Sequence, residues 1–133
     1  MADLSDYLEE KLSKAVFGLE VYSASTNLYV ALFTTVPNEA NSGGVEPSGG
    51  SYARVAVATG VGNGWAWDGS TVDNDADVNF PAATGDWGNI VGVGLFDAAT
   101  LGNLLCLKTI STKAVNNLDT ARFQAGDIDF SLN

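Results

Sequence analysis

Residues 65–77, "WAWDGSTVDNDAD", carry two indoles two positions apart and then three carboxylates at alternate positions. Aromatic faces stack on sugars and anchor protein interfaces, so Trp65 and Trp67 are the first candidates for a binding surface. The same rings could instead close one end of a β-sandwich, and the residues leave both readings open. Asp73, Asp75 and Asp77 invite comparison with a calcium loop. An EF-hand counted from Asp73 needs Gly at its sixth place and Glu at its twelfth, where this chain has Val78 and Thr84. The match fails, and the plainer reading is a solvated turn between strands. No metal site is assigned.

Other chemistries are restricted by what the chain lacks. Histidine is absent, which removes the commonest general base and the commonest zinc ligand together. Cys106 is the single cysteine; it has no partner for an internal disulfide, and in the apolar run "NLLCLKTI" a thiol acts as a small hydrophobe. Sixteen acidic residues could include an acid and base pair for glycoside hydrolysis, but most stand in turns or on the N-terminal helix, where local hydrogen bonding is their ordinary role. A small glycan hydrolase is therefore the least favoured function. The glycines at 60, 62 and 64 lack the G-x-G-x-x-G spacing, and "SGGSYAR" has no Walker lysine and leads into a strand, so no helix N-terminus faces an anion. No nucleotide or other cofactor is expected. Arg54 is the open question: its planar fork suits a carboxylate, either in its own chain or in a neighbouring subunit.

The elements that must position these residues follow from length and pattern. A chain of 133 residues fits one domain, residues 1–133, and is 46% hydrophobic and 17% charged with 15 glycines, too apolar for disorder and too glycine-rich for a helical bundle. Leu4, Tyr7, Leu8, Leu12, Ala15, Val16 and Leu19 recur at spacings of three and four, which predicts an amphipathic helix over 3–18, capped by Asp3 or Ser5. Its Leu4, Leu8, Leu12 face is expected to pack either on its own domain or on another subunit. From 27 to 133 the period becomes two. "NLYVALFTT" is apolar on both faces and predicts a central strand; a loop from Pro37 to Gly50 leads into "YARVAVA". In "IVGVGLF", Gly92 and Gly94 oppose Val91, Val93 and Leu95, leaving room for a large ring or another backbone to lie close. "DAATLGN" predicts a hairpin with a Gly-Asn turn, and "ARFQAGDIDFSL" two short strands around Gly126 and Asp127, the last alternating Ile128, Phe130 and Leu132. The fold expected is all-β, an antiparallel β-sandwich of about seven or eight strands, jelly-roll-like or related, with a short N-terminal helix.

Charge narrows the partners. Sixteen acidic against 6 basic residues give a formal net charge of −10, which repels phosphate backbones and disfavours nucleic acid. No apolar run approaches the ~20 residues that span a bilayer, and no basic-then-apolar leader opens the chain. The expectation is a protein made and kept in solution, without a membrane, that associates only through a specific apolar interface.

The ordered set "TNLYVALFTTVP", "GGSYARVAV", "NFPAATGDWGNIVGVGLFDAATLGNLL" and "AGDIDFSL" resembles a family of small bacteriophage virion proteins of the tail-fibre-like or capsid-decoration kind. The resemblance covers most of residues 3 to 132, while "NGWAWDGS" is less typical of it. It implies a β-sandwich structural component of a phage particle with no catalytic residues to carry over. The function it implies first is a decoration or cement protein on the capsid exterior, a homo-oligomer such as a trimer, made in the host cytoplasm and held by the major capsid protein. The alternative is a tail fibre or baseplate component among tail proteins, or an adhesin presenting Trp65 and Trp67 to a cell-surface glycan. Interface candidates are Leu4, Leu8, Leu12, Arg54, Trp65 and Trp67.

Overall fold

The longest apolar runs become the longest strands. The computed structural model describes residues 2–131, along which the elements are β1 (Ala2–Leu4), α1 (Asp6–Val16), β2 (Asn27–Phe33), β3 (Val55–Ala58), β4 (Trp65–Trp67), β5 (Val72–Asn74), β6 (Val78–Asn79), β7 (Gly88–Phe96), β8 (Leu104–Val115), β9 (Arg122–Phe123) and β10 (Asp129–Phe130). A five-stranded antiparallel sheet in the order β1-β8-β7-β2-β3 forms one layer. Two smaller antiparallel sheets, β10-β5-β4 and β6-β9, pack against it. The architecture is all-β and sandwich-like, with one short N-terminal helix.

Strand β2 lies inside the large sheet, between β7 and β3, and buries both faces. Val30 and Leu32 join the main core with Val93, Leu95, Phe80, Trp87 and Ile128, whereas Ala31 and Phe33 join a second cluster with Phe96, Leu104 and Leu107 on the reverse face. Alternating side-chain direction along a strand requires this split. Gly94 belongs to the reverse face, where a Cβ would stand 2.7 Å from the Phe33 ring; the missing side chain is the space the ring occupies. At Gly50, a positive φ of 57° brings the backbone under Trp87, whose Nε1 donates to the Gly50 carbonyl at 2.8 Å. A Cβ there would meet that nitrogen at 2.9 Å.

The helix is shorter than its periodicity predicts. Residues 2–4 pair antiparallel with β8, Leu4 opposite Cys106, and helical geometry starts only after Ser5. Ser5 is the cap: its Oγ accepts the Leu8 amide at 3.1 Å and donates to the Leu104 carbonyl at 2.5 Å, so one buried hydroxyl both ends the strand and begins the helix. Leu4, Tyr7 and Leu8 pack against the main core, but Val16 and Leu19, expected on the same buried stripe, are 79% and 78% exposed. The stripe outruns the sheet beneath it.

Two further expectations change. Asp97 to Asn103 forms a seven-residue connection from Phe96 to Leu104 rather than a tight Gly-Asn turn, with Asp97 Oδ1 and Oδ2 accepting the Asn103 amide and side chain at 2.7 and 2.8 Å. The two C-terminal strands do not pair with each other: β9 pairs with β6 and β10 with β5. Ile128 and Phe130 enter the core as their alternation implies; Leu132 lies outside the described residues.

Candidate functional site

The β4–β5 hairpin sets Trp65 opposite Asn74 and Trp67 opposite Val72. Its turn is closed by Asp68, whose Oδ1 accepts the amides of Ser70 and Thr71, each at 2.8 Å. Those donors, Thr71 first, hold the exposed Asp68 carboxyl down at about 2. Strand β10 then pairs with β5 and brings Phe130 alongside the hairpin. On the other side the β1–β8 pairing fixes Leu4, and the helix carries Leu8 and Leu12.

These elements enclose an apolar groove of about 350 Å³ lined by Leu4, Leu8, Leu12, Trp65, Trp67 and Phe130, among others. Five of the six interface candidates therefore share one surface. Trp67 is 66% exposed, while Trp65 is half-buried, packs on the main core and keeps its Nε1 buried with no acceptor among the described residues. The core reading holds in part for Trp65, which leans on the core, whereas Trp67 faces out. Cys106 also borders the groove, and burial pushes its thiol up to about 12, which makes it inert apolar surface. Among the described residues no carboxylate lines the groove.

Arg54 stands apart from it. The guanidinium is 3.6 Å from the Phe96 ring centroid, on the reverse face of the large sheet. Its Nε and Nη2 donate to Glu46 Oε1 and Oε2 at 3.0 and 2.7 Å, and its Nη1 donates to the carbonyls of Ala98 and Leu101 at 2.9 and 2.8 Å. With a side chain only 7% exposed, the fork is occupied within its own chain. Glu46 also accepts the Tyr52 hydroxyl at 2.7 Å, and that hydroxyl accepts the Leu32 amide at 2.9 Å. Burial, with Glu46 beside it, holds the Tyr52 phenol well above its ordinary range. The Pro37–Gly50 loop is thus tied to the sheet, by Glu46 and by pairing between Thr35 and Val45.

The "DNDAD" segment resolves differently from a metal loop. Asn74, between the carboxylates, is its buried member: Nδ2 donates to the carbonyls of Ala76 and Gln124 at 2.8 and 2.9 Å, and Oδ1 accepts the Ile128 amide at 2.9 Å. Sequence reading missed Asn74, Glu46, Val72 and Phe130. Only the apolar alternation at 128 and 130 offered any signal for one of them.

The described residues form a small strand-built scaffold with an apolar groove, in a chain whose formal net charge is −10. The family model described as "Podophage GP4 fiber I protein gp80" matches residues 3–131, and the chain belongs to that family. It is a bacteriophage structural protein and a component of the virion. No curated protein matches the chain.

Proposed function

We propose that this chain is a non-catalytic building block of a virion fibre and that each copy joins the next through the groove beside α1. One observation carries the reading: Leu4, Leu8 and Leu12 from the start of the chain and Trp65 and Trp67 from its middle line the same uncovered apolar groove, and the same chain presents Val16, Phe17, Leu19 and Val21 at 78% exposure or more. Val16 continues the Leu8–Leu12 row one helical turn further, so the apolar helix row continues past the groove lining into exposed residues. A groove and an apolar projection on one chain suit repeated contact between copies, which forms a ring where the rotation closes and a filament where it does not. A sugar platform is less well supported, because a glycan needs convergent polar groups and this lining is almost wholly apolar.

Electrostatics opposes this contact, since each copy carries −10. Association should therefore strengthen as salt screens the repulsion. Sedimentation velocity tests the reading. The wild type is expected to sediment as an oligomer, trimer included, more completely at 0.5 M than at 0.05 M salt. Trp67→Asp, at an exposed position, should give monomer with unchanged melting; Leu8→Asp with Leu12→Asp should do the same or unfold the chain. A monomeric wild type, or an oligomeric Trp67→Asp, refutes the groove contact. Placement in the particle is tested separately by electron microscopy of labelled chain: density along a fibre supports the assignment, and density over the capsid faces replaces it with capsid decoration.

A further inference from the structure

Of the six basic residues, four are held at close range by carboxylates: Lys11 by Glu20, Lys14 by Glu10, Arg54 by Glu46 and Lys108 by Asp129. The other two, Lys113 and Arg122, line the same concavity of about 310 Å³ between the outer half of β8 and the segment running into β9. Among the described residues Lys113 has no ion pair, and Arg122 has only Asp77 at 3.8 Å, with both side chains about half exposed. In so acidic a chain, these are the two cations not held at close range by a carboxylate among the described residues, and both line one concavity.

The local fold shapes it. Between the pairs Gly92↔Thr109 and Ile90↔Lys113, β8 advances four residues while β7 advances two. A bulge of this kind re-aims side chains, and here Ile110 and Ser111 both line the concavity. Buried Leu32, Ile90 and Val115 also line it, with Phe123 half-buried beside them. Ser111, Thr120 and Asp119 line the same concavity, and Asp119 accepts the Asn116 amide through Oδ2 at 2.9 Å, which leaves Oδ1 as its other acceptor.

We infer that this concavity binds a carboxylated sugar of the uronic-acid class. Arg122 and Lys113 take the carboxylate, the fork of Arg122 matching its two oxygens. Phe123 and the aliphatic lining take the C–H face of the ring, and Ser111, Thr120 and Asp119 take its hydroxyls. A bare inorganic anion would leave the apolar lining unused, and Asp119 on the rim disfavours a dianionic phosphate. The inference is independent of the groove contact, which uses other residues on another surface.

An amide-resolved NMR titration of the full chain with glucuronate at low salt tests it, with glucose, acetate and inorganic phosphate as comparison ligands. Shifts should concentrate in residues 110–123 and reach half-saturation at about 1 mM, the scale set by the ligand's size. Lys113→Gln or Arg122→Gln should weaken binding about tenfold or more with unchanged melting. A glucuronate-terminated tetrasaccharide that binds more tightly than the monosaccharide supports a glycan chain as the source, and equal affinity supports the free acid. The inference is overturned if no shift appears by roughly 50 mM, ample for an affinity of that order, if either variant binds like wild type, or if acetate or phosphate binds as well as glucuronate. Loss of self-association in the two variants, without any sugar binding, would also overturn it by giving the cations to a neighbouring copy's carboxylates.

Discussion

Replacing Glu46 with alanine should be among the most damaging single changes outside the apolar core. Glu46 accepts both Arg54 contacts, at 3.0 and 2.7 Å, and the Tyr52 hydroxyl at 2.7 Å. Its removal leaves a guanidinium that is 7% exposed with only two backbone carbonyls as partners. Breaking a buried pair from one side costs about 3–5 kcal/mol. Glu46 itself is 24% exposed, so water reaches the vacated site and the lower end applies, about 3 kcal/mol. A chain of this length unfolds with an entropy of about 0.28 kcal/mol/K, so the melting temperature should fall by about 10 °C. Arg54→Met is the informative companion. It keeps an apolar stem on Phe96 and leaves the more accessible partner, Glu46, to water and Tyr52, so it should cost less than Glu46→Ala. Thermal melts followed by circular dichroism, with sedimentation in parallel, provide the measurement. Melting within about 2 °C of wild type, or Arg54→Met worse than Glu46→Ala, refutes the assignment of the pair to the fold. Unchanged melting with a smaller oligomer would move the pair to a subunit contact.

Asn74→Ala removes three hydrogen bonds, two that join β5 to the Gln124 and Ile128 backbones and one to the nearby Ala76 carbonyl, and should lower stability by about 3 kcal/mol in urea unfolding, since the orphaned groups stay buried; an unchanged midpoint would mean that water replaces the amide. The Asp68 carboxyl, depressed to about 2 in the folded chain, should remain ionised to far lower pH than an unfolded aspartate at about 3.9. The folded form is favoured by that ionised group above about pH 4, and the contribution is lost as pH falls through about 2. Carboxyl NMR shifts check this, and an Asp68 midpoint near 4 would show that the turn does not hold its two amides on the carboxylate.

Local patterns were legible in the sequence because their physics is local. Apolar residues on both faces of "NLYVALF" are enough to demand an interior strand, and β2 is one. Gly92 and Gly94 opposite a valine face announce close packing, which Val36 and Phe33 supply. A cap at Asp3 or Ser5 was legible from residue type, and the pairing of residues 2–4 with β8 decides for Ser5. Pattern also misleads where its support stops: Val16 and Leu19 keep the helical spacing after the sheet beneath them has ended.

The choice among equivalent residues belonged to the tertiary structure. Sixteen acids look alike in sequence, and only the path of the Pro37–Gly50 loop across the sheet puts Glu46, rather than another, on Arg54. Leu4, Leu8 and Leu12 come from one end of the chain and Trp65 and Trp67 from its middle; they share a groove because β1 adds to β8 while β10 adds to β5. Lys113 and Arg122 line one concavity, Lys113 on β8 where it pairs with β7 and Arg122 on β9 where it pairs with β6. Composition and period determined that this chain is an acidic β protein with an apolar helix face. Which side chains meet on its surface depended on strand pairings between distant segments, whose free energy comes from burying the whole core together and is written in no single stretch.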